Sequence, residues 1–235
     1  MKIICIIIVT VAAHSIAPAQ SVLTPDPSTF NQKYFKNQSI FQKLTWIDKD
    51  GKILREATLN LVTRIDTVNN NKLIHLQIRN DGKKDSTICE LGSLKPIYTS
   101  SISKTQKFFY DYRGGMEVFI IENTGKGDVK SNYKMPSPYF DGFITEYLIG
   151  ALPLKKGYSA QFEFCRTDTK SKGSTKINRV YDDIITNASD IRTAYVLEME
   201  SGNFTYLIWV DQKSNQILKA VFSLPNGGYF LKQRI

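Results

Sequence analysis

Side chains able to do acid–base, nucleophilic or metal chemistry are few in this chain and lie far apart. The sequence holds two histidines, His14 and His75, and only the second lies beyond the apolar leader discussed below. A single imidazole with no Cys or carboxylate cluster beside it makes no metal site, so His75 reads as a surface or hydrogen-bonded strand residue. No serine sits in a nucleophile elbow, and the phosphate-binding and zinc-protease motifs are missing. Gly125-Lys126-Gly127-Asp128 lacks the further glycines and following helix of a phosphate loop and reads as a hairpin turn. Asp182-Asp183, after Tyr181, lacks the spaced ligands and closing glutamate of a calcium loop and reads as a solvated turn. We therefore expect no metal, no cofactor and no enzymatic activity.

Two further residue classes could still carry function. Beyond Cys5 the cysteines are Cys89 and Cys165. An even pair in an oxidising compartment is a candidate disulfide, and the alternative is two separate buried thiols. Aromatic residues are abundant, with Phe 13, Tyr 12 and Trp 2, more than one side of a thin sheet requires. Most must be core; the remainder could line an apolar cavity for a lipid-like ligand. The residues expected at such a cavity are Phe143, Ile144, Tyr147 and Leu148, which recur at helical spacing, together with Phe162, Phe164, Tyr206 and Ile208, which alternate toward one side of nearby strands. The alternative is that these eight close a filled core and the chain is an envelope scaffold or protein-interaction module.

Compartment follows from the amino terminus. Met1-Lys2, an apolar stretch from Ile3 to Ala13 and the small residues of Ala17-Pro18-Ala19 have the form of a signal peptide, with cleavage expected between Ala19 and Gln20. The stretch is short of the roughly 20 apolar residues of a membrane span. Residues 20–235 then form one exported domain, periplasmic or extracellular. The formal charge of +9 is spread along the chain, with Lys83-Lys84, Lys155-Lys156 and Lys170-Ser171-Lys172 at loops. Export makes nucleic acid an unsuited partner.

The elements that must position these residues are mostly strands. Leu59, Leu61, Thr63 and Ile65 alternate with Asn60, Val62 and Arg64, and Ile74, Leu76 and Ile78 alternate with His75 and Gln77. Asp50-Gly51, Asn69-Asn70-Asn71, Asp81-Gly82, Gly114-Gly115 and Ser201-Gly202-Asn203 fall where hairpins turn. On the order of twelve strands are too many for a flat sheet. The expected fold is mainly β: a strongly curved antiparallel sheet, half-barrel or partial barrel, with one short amphipathic helix over about 138–152. Ser137-Pro138 is its expected start and Pro153 its stop.

The run Thr205-Tyr206-Leu207-Ile208-Trp209-Val210-Asp211, the Lys213-Ser214-Asn215 turn and the strand Ile217 to Phe222 resemble a hairpin of uncharacterised bacterial secreted domains related to the periplasmic lipoprotein-localisation carriers. The segment Phe140 to Leu154, with its Leu152-Pro153-Leu154 exit, is similar to the helix and exit of that group. The resemblance covers about Pro136 to Ile235. It implies a half-barrel with a helix against its open side and an acyl chain as ligand, and it brings no catalytic residues.

Overall fold

The computed structural model describes residues 21–80, 82–112, 116–123, 125–135, 138–166, 171–187 and 190–235. The signal-peptide stretch with its Ala19/Gln20 boundary, Gly114-Gly115 and Ser137 lie outside the described residues.

Among the described residues, alternating side chains build a single sheet of sixteen strands. A first meander runs through β2 (Gln38–Ile47), β3 (Ile53–Val68), β4 (Asn71–Asn80), β5 (Lys83–Glu90), β6 (Pro96–Ser103), β7 (Lys107–Asp111), β8 (Glu117–Asn123) and β9 (Asp128–Lys134). A second runs through β11 (Ala160–Arg166), β12 (Ser171–Asn187), β13 (Asp190–Ser201), β14 (Phe204–Asp211), β15 (Ile217–Ser223) and β16 (Tyr229–Arg234). The two join where β16 pairs antiparallel with β2, from Tyr229 opposite Ile47 to Arg234 opposite Gln42. Asn69 (φ 49°) and Asn70 (φ 65°) both take the left-handed conformation between β3 and β4, which a tight hairpin turn requires and asparagine tolerates.

Two short strands depart from the antiparallel rule. β1 (Ser21–Leu23) and β10 (Phe140–Asp141) both pair in parallel with β11, the first along Ala160–Phe162 and the second along Phe164–Cys165. Together they cover the outer edge of that strand, which would otherwise expose a row of unpaired backbone groups. Alternation cannot reveal strands of two or three residues, which accounts for two of the strands beyond the expected number.

The helix is shorter than its apolar spacing suggests. Phe140-Asp141 belongs to β10, Gly142–Ile144 forms one 3-10 turn, and only Thr145–Ala151 is α-helix, here α1. The Asp141 side chain caps the 3-10 turn that leads into α1, accepting the Phe143 N–H at 2.7 Å. Leu152, next to Pro153, is extended (φ −69°, ψ 149°) and ends it. A helix this short owes its stability to packing, and Tyr147, Leu148, Ile149, Gly150 and Ala151 are all buried.

The helix lies on the concave face of the curled, unclosed sheet. Facing residues such as Leu61, Leu76, Phe162, Ile177, Leu197 and Ile208 share one apolar cluster with Ile144 and Leu148. A second cluster, around Tyr110, Tyr112, Val118, Ile120, Met135, Tyr139 and Cys165, fills the curve near β7 and β8.

Tyr34 fixes how close the helix can come. A Cβ placed on Gly150 would stand 2.3 Å from the Tyr34 ring, so the ring rests directly on the helix backbone. We expect Gly150→Ala to cost about 1–3 kcal/mol by overpacking, measured by chemical denaturation, and Tyr34→Leu in the same chain to recover part of that loss.

Candidate functional site

The eight residues expected to meet a ligand divide on folding. Ile144, Tyr147, Leu148, Phe162 and Ile208 are buried in the large apolar cluster, and Phe164 and Tyr206 pack against it partly buried. Their rings interlock: Phe162 meets Phe140 edge to face at 6.0 Å and Phe164 at 6.5 Å. Phe164 lies across its cross-strand neighbour Gly173, where a Cβ would come within 2.5 Å of the ring. These seven belong to, or pack against, one apolar cluster beneath the helix. Phe143 is separate, a half-buried residue that lines a small pocket instead.

Cys89 and Cys165 are both buried free thiols, which corrects the expected disulfide. They belong to different apolar clusters, Cys89 to the one under the helix and Cys165 to the one near β7 and β8. Burial pushes both thiols up, Cys165 to about 12, and the nearby Asp141 carboxylate adds to the effect in each. A deprotonated thiol is the nucleophile and metal ligand, so both are held in their inert form.

Asp141 itself was not foreseen. It is fully buried, and its carboxylate accepts the Thr99 hydroxyl at 2.7 Å, the Tyr112 hydroxyl and the Phe143 N–H. The Thr87 hydroxyl stands 3.0 Å behind Thr99. Burial raises the carboxyl, while the three donors pull it back down. The visible signal was a carboxylate inside the aromatic run Tyr139-Phe140-Asp141-Gly142-Phe143, which alone does not distinguish a cap from a catalytic acid.

A second buried charge lies at the seam. Lys232 on β16 points inward and pairs with Glu146 of α1, and burial pushes its ammonium down to about 8. The other Glu146 oxygen and the Gln42 Oε1 have no partner. The surface residues considered for chemistry hold structural bonds instead. Asp183 accepts the Trp209 indole N–H at 2.9 Å and Asp182 the Gln212 amide at 2.8 Å. His75 stands 3.3 Å from Asp66. Among the described residues no group of three or more His, Cys, Asp or Glu could hold a metal ion, and no helix is long and apolar enough to cross a membrane.

Concavities among the described residues include a groove and a small pocket. A groove of about 1060 Å³ lies where the β12–β13 hairpin meets the end of β16, bordered by Asp190, Ile191, Arg192, Lys213, Arg234 and Ile235. The pocket at Phe143, about 170 Å³, is formed with Lys83, Ser101, Ser103, Gln106, Phe108 and Tyr110.

Removing one partner of a buried pair strands the other charge. Glu146→Gln should therefore cost about 3 kcal/mol in urea denaturation, whereas Glu146→Leu with Lys232→Met should be close to neutral. Stability should also fall in alkali. Groups whose folded pKa is raised add stability that is complete below the unfolded pKa, about 8.5 for Cys and 10 for Tyr, and is lost as pH climbs toward the folded value. Cys89, Cys165, Tyr34 and Tyr112 act this way, while Lys232, lowered, acts oppositely. With raised thiols and phenols outnumbering the one lowered ammonium, denaturation at rising pH should show a net loss between about 8.5 and 12, smaller in the Cys89→Ala, Cys165→Ala double variant.

Among solved structures the chain is similar to the crystal structure of MucB in complex with MucA(peri), at 10% identity over 84% of this chain and 88% of that one; the TM-score is 0.15, too low to carry an argument. No curated protein matches. Residues 47–233, from the end of β2 to β16, match the family described as protein of unknown function (DUF3108), and the chain belongs to that family.

Proposed function

We propose that the chain is an exported, non-catalytic module of the cell envelope that binds a protein partner on its outer surface and carries no lipid within the sheet. The observation that supports this reading is the filled concave face. An acyl chain needs apolar space between helix and strands, and there Ile144, Leu148, Phe162 and Ile208 pack against one another as core. The groove beside the β12–β13 hairpin supports a partner outside. Ile191 and Ile235 are exposed there, and Arg192, Lys213, Lys219 and Arg234 outnumber Asp190 and Asp211. Arginine with exposed aliphatic side chains is the composition of protein interfaces, and the surplus cations suit an acidic segment bearing apolar residues. The signal-peptide form of the amino terminus is the basis for placing the protein in the envelope.

Two measurements test the reading. Mass spectrometry of organic extracts of protein purified from its native host should find no stoichiometric lipid, and Phe162→Ala should cost about 3–5 kcal/mol, as for any packed core aromatic. A photo-crosslinker at Ile191 should capture one protein that is absent with the crosslinker at Val129 and lost in Lys213→Glu. A stoichiometric lipid, or equal capture at both positions, would overturn it.

A further inference from the structure

The two edges of the sheet are finished differently. β11 is covered along its outer side by β1 and β10, whereas β9, at the other end of the strand order, pairs among the described residues with β8 alone. Its residues Asp128, Val129, Lys130, Asn132 and Lys134 are exposed, and Ser131 and Tyr133 are half-buried. Such an edge is a template for a further strand.

The ladder with β8 fixes which backbone groups face outward. The Met135 N–H donates to the Met116 carbonyl at 2.7 Å, one step past Glu117 opposite Lys134 in the same register. In an antiparallel pair, residues that exchange both backbone bonds alternate with residues that exchange neither. Val129, Ser131 and Tyr133 therefore direct their N–H and C=O to β8, while Asp128, Lys130, Asn132 and Lys134 direct theirs to the open side.

Side chains then select the occupant. A second β9 running antiparallel in one continuous sheet keeps each face with its like, so opposed residues are an even number of positions apart. Centred on Ser131, it sets Asp128 against Lys134 at both ends, Lys130 against Asn132 and Val129 against Tyr133. Every outward N–H and C=O of the strand then meets a partner. Centred on Lys130, it sets that lysine against itself; centred on Asn132, it sets Lys130 against Lys134. Like charges directly opposed destabilise a sheet and opposite charges support it. Of these three registers only the one centred on Ser131 is free of opposed lysines, so the residues that usually guard an edge here choose its partner. Val129, 56% exposed, gains an aromatic cross-strand neighbour.

We infer that β9 is the contact between two copies of this chain, related by a twofold axis through Ser131 that continues the sheet from one copy into the other. The inference goes beyond the partner proposed for the groove and does not depend on it, since no residue bordering the groove lies on β9. One strand of 7 residues buries less than a permanent interface does, which suits a dimer in exchange with monomer at a Kd on the order of micromolar.

Sedimentation velocity of the purified chain between about 1 µM and 1 mM should show monomer giving way to dimer. Asn132→Pro removes an outward N–H and none that bonds β8, a place where an edge strand accepts proline; it should abolish the dimer with the melting temperature unchanged. Asp128→Lys and Lys134→Asp should each weaken association about tenfold, and the two together should restore it, which no folding defect would do. Ser131→Cys places a thiol opposite its own copy and should link two chains under mild oxidation far faster than Val129→Cys, whose copies lie apart; Cys89 and Cys165 are buried. Monomer at every concentration, which leaves the edge to a strand of another protein, overturns the inference. So does a dimer that survives Asn132→Pro, or equal crosslinking by Ser131→Cys and Val129→Cys.

Discussion

The buried carboxylate of Asp141 is the constraint on which the rest of the arrangement depends. A carboxylate away from water is tolerated only when its oxygens are hydrogen-bonded, and here the donors come from three places: Thr99 of β6, Tyr112 just beyond β7, and the backbone of Phe143 at the entry to the helix. Asp141 also belongs to β10, which pairs with β11. One side chain thus ties the far part of the first meander, the edge of the second and the start of the helix. Among the described residues the strands of the two meanders pair directly at the seam of β16 and β2, and this nest is a second tie between the two.

From that anchor the helix can take one position. Its first residues are held by the cap, Glu146 reaches Lys232 on the seam strand, and Gly150 lets Tyr34 lie against its far end. The helix therefore has polar contacts at its entry and at the central seam, and apolar contacts along the rest of its length. The concave face becomes a packed interior, and the hairpin groove and the pocket that Phe143 borders are lined by other residues.

How much of this was legible in the chain depends on the range of the interaction. Strand alternation at Leu59–Ile65 or Phe204–Val210 and turn residues such as Asn69-Asn70 are local properties, because a strand's inside and outside are written in successive residues and a left-handed turn needs residues that tolerate it. Curvature followed from strand number and the need to cover a helical apolar stripe. The even cysteine count was also legible, yet a count says nothing of distance, and the two thiols ended in different clusters.

What the sequence by itself determined is the class of the fold, the presence and place of its helix, and the set of residues that must be buried, since these follow from local periodicity and the hydrophobic effect. Tertiary structure alone decided the rest. Helical spacing put Phe143 with Ile144, Tyr147 and Leu148, but the cap at Asp141 starts the helix late and turns Phe143 outward to Lys83 and Phe108. Lys83 and Ser101 lie on neighbouring strands, and Phe143, distant along the chain, joins them at one pocket only through the tertiary fold. A functional surface assembled from partners this far apart in sequence depends on long-range pairing and packing, which no local pattern of residue types records.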